Sequence, residues 1–308
     1  MPVAGPGRGF GMSSFGLEVA GKYAGMVASA EGGFAVGNVV EDKLGPGQVA
    51  HKHIGSVSYD DITVTCGAGM SKDFYDCVQA MFTPKASVKD GSIKTVDFDR
   101  NIVSELDFFQ GRITEVGFPA LDASAKGVAR LTVKISPEYT RLKKGSGKLP
   151  PPTGQSTASR QLNADNFRLT VAGLDCTHVN KIEALTVKQK VSVDTTGEQR
   201  ISKQDGGSLE VPNLVVTLSE ATAQSFYDWH KSFVVDGDNG ANKEKQGTLE
   251  FLAVDMKEVL FTLTFHGLGI FRLSPDKPQP GNENIRRITA EMYCQSMDFA
   301  YGKGVVAG

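Results

Sequence analysis

Two histidines flank a lysine in His51-Lys52-His53, and they are the first residues here whose types could do chemistry. Alternate side chains of a strand share a face, so the pair could offer two imidazoles to a metal ion. A zinc site needs a third ligand, and His178, His230 and His266 lie far apart with no ligand spacing. The residues 51–53 are therefore expected to be a solvated strand edge. The four cysteines, Cys66, Cys77, Cys176 and Cys294, include no Cys-x-x-Cys pair and no histidine at zinc-finger spacing. They read as buried reduced thiols, not as a disulfide framework. Asp60-Asp61 could form an acid–base pair, and Cys77 a nucleophile. The glycines of "CGAGM" (66–70) carry neither the GK[ST] of a phosphate loop nor dinucleotide-binding spacing. Finally, Phe-Tyr-Asp occurs twice, at 74–76 and at 226–228.

That recurrence settles the rest, because the chain is a tandem repeat. At an offset of 152, "FGLEVAG" (15–21) falls on "FRLTVAG" (167–173), Glu31 on Glu183, Val39 on Val191, and "IGSVSYDDITVT" on "GGSLEVPNLVVT". Phe74-Tyr75-Asp76 falls on Phe226-Tyr227-Asp228 in the same register. After the helix the offset becomes 156, matching Asp99 to Asp255, Val103 to Val259 and "FQG" (109–111) to "FHG" (265–267). The second copy has gained its extra residues in "DGDNGANKEK". Chemistry should survive duplication better than it does here. The pair Asp60-Asp61 becomes Pro212-Asn213, His-Lys-His becomes Lys203-Gln204-Asp205, and Cys77 becomes Trp229, as a packing position would allow. No catalytic residue, cofactor site or metal site is expected, and the protein does not read as an enzyme.

The elements that carry these residues are mostly strands. "SVSYDDITVTC" alternates at Val57 and Tyr59, then at Ile62, Val64 and Cys66, with a slip at Asp60-Asp61. The second copy slips at Pro212-Asn213, which predicts a bulge or a strand break at this point in both. Further alternating runs give five to seven antiparallel strands per copy, a sandwich or barrel. One helix interrupts them, with Ser71 and Ser219 as expected N-caps. Its packing stripe is Phe74, Tyr75, Val78 and Met81 in the first copy, and Phe226, Tyr227, Trp229 and Phe233 in the second, with Cys77 and His230 beside it.

Between the copies lies "RLKKGSGKLPPPTGQSTASRQLNAD", a Lys-, Gly- and Pro-rich linker over 141–165. The expected domains are 1–140, with 1–12 a mobile arm, and 166–308. Both halves are acidic, whereas the linker holds five basic residues and one acidic. A nucleic-acid-binding protein would gather its Lys and Arg on the folded domains. At 40% hydrophobic and 22% charged residues the composition is that of a soluble globular protein. No apolar run of membrane-spanning length occurs, and the start "MPVAGPGRGFGMSS" lacks the apolar core of a signal peptide.

The stretch "HKHIGSVSYDDITVTCGAGMSKDFYDCVQAMF" resembles the central part of tail tube proteins from contractile phage tails and contractile injection systems. "FGLEVAGKYAGMVASAEGG" is similar to their first strand and loop, ending at Glu31. The resemblance implies two packed antiparallel sheets plus a helix in each domain. It also implies rings closed by strand pairing and stacked into a hollow tube, assembled in a bacterial cytoplasm and carried in a virion tail or injection particle. The implied partners are other copies of the chain, a sheath or baseplate, and end-cap proteins, with nucleic acid or protein cargo passing unbound and no membrane. The ring-stacking loop would be 35–49, with Val36, Gly37, Val39, Val40, Leu44, Gly45 and Gly47. The family's usual subunit has one domain, so a chain with two fits a trimeric pseudo-hexamer, a decorated hexamer, or a hub, initiator or adaptor at a tube end. The alternative of another class is a ligand-binding β-barrel enzyme or binding module.

Overall fold

The computed structural model describes residues 14–42, 50–83, 88–150, 161–194, 203–275, 286–302 and 305. The expected arm at 1–12, the middle of the linker, and Leu44, Gly45 and Gly47 lie outside them.

The protein is mainly β. The first copy contains β1 (Ser14–Val19), β2 (Lys22–Val27), β3 (Ser29–Gly32), β4 (Ala35–Asp42), β5 (His51–Tyr59) and β6 (Ile62–Cys66), then α1 (Lys72–Met81). It continues with β7 (Lys89–Val96), β8 (Ile102–Phe118), the short β9 (Leu121–Asp122), β10 (Leu131–Ser136) and β11 (Tyr139–Lys144). The second has β12 (Phe167–Val171), β13 (Val179–Ile182), β14 (Leu185–Asp194), β15 (Lys203–Glu210), β16 (Leu214–Ser219) and α2 (Gln224–His230). It ends with β17 (Lys245–Leu252), β18 (Val259–Pro275), β19 (Arg287–Tyr293) and β20 (Ser296–Tyr301).

Each copy is built on one long strand. One end of β8 pairs with β7 and β11, and its other end with β10, which in turn pairs with β6. The second copy repeats this with β18, β17, β20, β19 and β16. The long strands turn from one sheet to the other at Gln110 (φ 51°) and Gly267 (φ 63°). A left-handed residue re-aims a strand and so lets one strand serve two packed layers. The strand alternation read from the sequence supplies the filling: Ile62, Val64 and Cys66 on β6, and Leu214, Val216 and Leu218 on β16, are fully buried.

The ladders correct the sequence register. Phe108 pairs with Gly91, and Phe265 with Gly247, so β8 and β18 correspond at an offset of 157, not 156. The cause is one more residue in the β17–β18 turn than in the β7–β8 turn, which matching "FQG" to "FHG" conceals. At 157, β11 becomes the counterpart of β20, each pairing with its long strand in the same way. Residues 141–144 thus belong to a strand, not to the linker expected at 141–165. β11 escaped notice because its last four residues, Arg-Leu-Lys-Lys, are exposed and show no apolar alternation.

The slip at Asp60-Asp61 is a strand break: β5 ends at Tyr59, and β6 begins at Ile62 in another sheet. The hairpins β4–β5 and β14–β15 share an irregularity at equivalent places, Gly37/Val39 and Gln189/Val191. A charge pair is inverted between copies. Lys134 and Glu115 face each other across β10–β8 at 3.3 Å, while Glu291 and Arg272 do so across β19–β18 at 3.3 Å.

Ser71 caps α1, its hydroxyl accepting from the Phe74 N–H at 3.3 Å. Ser219 does not cap α2. A 3₁₀ turn (Glu220–Thr222) intervenes, and Ala223, the true counterpart of Ser71, stands at the N-cap. A π-helical turn, Lys231–Val235, then extends α2. Phe74, Tyr75, Val78, Met81, Phe226, Trp229 and Phe233 are buried, but Tyr227 is 37% exposed where Tyr75 is fully buried.

Candidate functional site

The difference between Tyr75 and Tyr227 leads to the part of the molecule with most built into it, the junction of the two copies. There, strands pair across the duplication boundary. Leu185–Lys188 at the start of β14 pairs antiparallel with Glu115–Phe118 at the end of β8. A few residues on, Leu121 and Asp122 of β9 pair with Ile182 and Lys181 of β13. Each copy therefore covers an edge that the other would leave open, and unpaired edges are the liability a β-protein must manage. Glu115 receives two lysines at this seam, Lys134 at 3.3 Å and Lys188 of the other copy at 3.8 Å.

Aromatic packing runs through the same boundary. The Phe118 ring lies 5.9 Å from Phe251 and 5.7 Å from Phe299, and Phe82 stacks on Phe299 at 5.7 Å. Tyr75 stacks on Tyr301 at 5.3 Å. Such pairs contribute about 0.5–1.5 kcal/mol each beyond the area they bury. Helix α1 is the lever of this contact. It follows β6 through the 67–71 turn, and the Tyr75 hydroxyl accepts from the N–H groups of Gly69 and Met70. The polar face of α1 is used as well: Gln79 Nε2 donates to the Phe299 carbonyl at 3.1 Å, and the Tyr301 hydroxyl donates to Asp76 at 2.5 Å.

Burial pulls the Asp76 carboxyl up, but hydrogen bonds from Lys72 and Tyr301 outweigh it and hold the group below the ordinary carboxylate value. Burial, then the bond to Asp76, raises the Tyr301 phenol. Tyr75 is raised chiefly by burial. The Asp76 and Tyr301 shifts mark the hydrogen bond between them, whereas the Tyr75 shift marks burial.

The other sequence candidates are not gathered together. His51 and His53 are exposed on β5, where His53 Nδ1 stands 3.4 Å from Asp42. No group of three or more His, Cys, Asp or Glu is placed to hold a metal among the described residues. All four cysteines are free; Cys66 is buried, but Cys77, Cys176 and Cys294 are only half-buried, which corrects the expectation of four buried thiols. Trp229, the counterpart of Cys77, packs under Lys245 at 5.3 Å. A depression of about 430 Å³ lies beside β12, where residues 174–179 leave that strand's edge uncovered; in the first copy β2 pairs along β1. Its polar groups are engaged: Arg168 pairs with Glu250, and Asp175 accepts from the Thr177 N–H. Burial raises the Cys176 thiol there, which makes it a poor nucleophile.

Val36, Gly37, Val39 and Val40 lie on β4, and the strand is exposed nearly throughout. Its counterpart β14 is not, for Leu185 and Val187 are fully buried beneath the first copy. Sequence reasoning missed the seam residues Phe118, Phe299 and Tyr301. Their signal was a contrast between copies, because at an offset of 157 Phe118 meets Pro275, while Phe299 and Tyr301 meet Leu142 and Lys144.

No family model matches the chain, and the comparison with curated proteins finds no match. Among solved structures, the anti-feeding prophage tube-terminating cap aligns at 15% identity and a TM-score of 0.41, over 46% of this chain and 96% of its own. A chain of the sheath–tube complex of an extracellular contractile injection system (PVC) aligns at 15% identity and 0.40, over 45% and 93%. Hcp1 from Flavobacterium johnsoniae aligns at 16% identity and 0.27, over 44% and 95%. No helix among the described residues is long and apolar enough to cross a membrane.

Proposed function

We propose that the protein is a non-enzymatic structural subunit whose two tail-tube-like domains sit side by side in a ring, with rings stacking into the hollow tube of a phage tail or contractile injection particle. The observation that carries this reading is the edge-to-edge pairing of β8 with β14. Two copies of one fold joined by strand pairing form a head-to-tail contact, and such a contact makes a ring when its rotation closes. With two domains already joined in this way, a ring of six domains needs three chains, which favours a trimer over a hexamer with one decorating domain.

Ring stacking is assigned to the β4–β5 hairpin. Val39 and Ile54 face each other across it, and both are exposed. Exposed apolar residues clustered on a projecting hairpin mark an interaction surface. A sheath or baseplate outside and end-caps at the tube ends complete the proposed partners, with cargo passing through the lumen unbound and assembly taking place in the cytoplasm.

Negative-stain microscopy of the purified protein tests the reading. Rings or stacked rings are expected, and Val39→Asp with Ile54→Asp should leave single rings that no longer stack. Monomers alone at high concentration would refute the assignment.

A further inference from the structure

We propose that a second copy of this chain docks α2 and the end of β18 of one protomer onto β4 and β11 of the next, using the residue pairs that the internal junction predicts. This deepens the ring reading and rests on it.

Within the chain, the first copy presents α1 and the end of β8, and the second receives them on β14 and β20. Among the described residues nothing covers the other two such surfaces, the first copy's receiving face and the second copy's presenting face. Ala35 and Val36 of β4 correspond to Val187 and Lys188 of β14 at the offset of 152. The end of β18, Arg272–Pro275, corresponds to Glu115–Phe118 at 157, and among the described residues β19 alone pairs with it there. Carrying the β14–β8 register across gives Phe34 opposite Ser274, Ala35 opposite Leu273 and Val36 opposite Arg272.

The side chains agree with the backbone. Phe82 and Phe299, stacked inside the chain, are 8% and 2% exposed. Their counterparts Val234 and Leu142 are 42% and 64% exposed. Tyr75, buried against Tyr301, corresponds to the exposed Tyr227, and Val187, buried near the start of β14, corresponds to the exposed Ala35 of β4. Exposed apolar residues thus stand at positions whose equivalents the internal junction buries. The polar contact is converted too, for Asp76 and Tyr301 become Asp228 and Lys144, a carboxylate facing an ammonium. Among the described residues Asp228 bonds Gln224 on its own helix, and Lys144 is exposed at the end of β11.

The external junction is less aromatic than the internal one, with Pro275 in place of Phe118 and Leu142 in place of Phe299. Fewer buried aromatics and a charged pair suit a surface that must stay soluble until it meets another copy.

The test uses full-length chains of 32.9 kDa in two arms. Leu142→Cys with Val234→Cys, oxidised beside the wild-type cysteine control, should give covalent species at two and three chain masses and none above. Asp228→Lys alone should lower the ring fraction about tenfold, and Asp228→Lys with Lys144→Asp should restore it. All four sites are exposed, and a melting curve checks that each variant folds. Rings that persist with Asp228→Lys and give no cross-link above the control would overturn this interface and leave the ring reading standing. A wild-type chain that forms no ring would sink both.

Discussion

Tyr301 donates a 2.5 Å hydrogen bond to Asp76 across 225 residues of sequence, from the last strand of the second copy to the helix of the first. The bond ties the polar face of α1 to the last strand of the second copy. Tyr75 stacks beside it, so a polar contact and an apolar one act at the same place.

Removing this hydroxyl should loosen the junction without emptying the core. Tyr301→Phe should lower stability by about 1 kcal/mol, measured by urea unfolding at pH 7. The pH dependence has a definite sign. Asp76 is depressed in the folded state, so its contribution is complete above the ordinary carboxylate value and is lost as pH falls through the depressed one. Tyr301 is raised, so its part is complete below the ordinary phenol value and disappears as pH climbs through the raised one. The gap between wild type and Tyr301→Phe should therefore narrow at both extremes.

Phe118 is the seam's apolar wedge, buried between Phe251 and Phe299. Phe118→Ala should cost about 3–5 kcal/mol. Calorimetry should also show two unfolding transitions where the wild type shows one, because the first copy loses an apolar contact that ties it to the second. A single transition merely shifted in temperature would contradict that role.

The two helix starts can be told apart by one substitution each. Ser71→Ala removes the acceptor for the Phe74 N–H and should destabilise by about 1 kcal/mol. Ser219→Ala removes no capping bond and should change stability by less than about 0.5 kcal/mol. Equal losses would mean that the capping assignment is wrong.

Burial pushes the Cys66 thiol up to about 12. A thiolate is the reactive form, so Cys66 should resist a disulfide reagent at pH 8 in the folded protein. Denaturant should release it, and the count of reactive thiols should reach four.

Much of the architecture was legible because duplication leaves two kinds of trace. Residues that turn or pack in the same way, such as Leu17, Val19, Gly21 and Phe74, keep their identities in Leu169, Val171, Gly173 and Phe226. Val57, Ile62 and Val64 keep the alternation that a half-buried strand requires. Backbone pairing leaves no such trace, which is why the register of β18 was read one residue short. Arg-Leu-Lys-Lys of β11 gave no strand signal because its outer side faces water in a single chain. The junction was hidden for a related reason. Phe118 and Phe299 look like any core aromatics, and only their ring contact shows that they meet across the two copies. Tyr227 was read as a packing residue because its twin is one, yet its surroundings had changed.

The inverted pair, Lys134 with Glu115 and Glu291 with Arg272, bears on how such a chain reaches its fold. Two near-copies in one polypeptide invite misassembly, since a strand from one can dock in the other's place. If β19 took the position of β10 on β8, Glu291 would meet Glu115; if β10 took the position of β19 on β18, Lys134 would meet Arg272. Like charges directly opposite each other oppose pairing, whereas each correct partner brings the complementary charge. The inversion works as a key cut differently for each half, letting a nascent chain sort its own strands before it meets another copy.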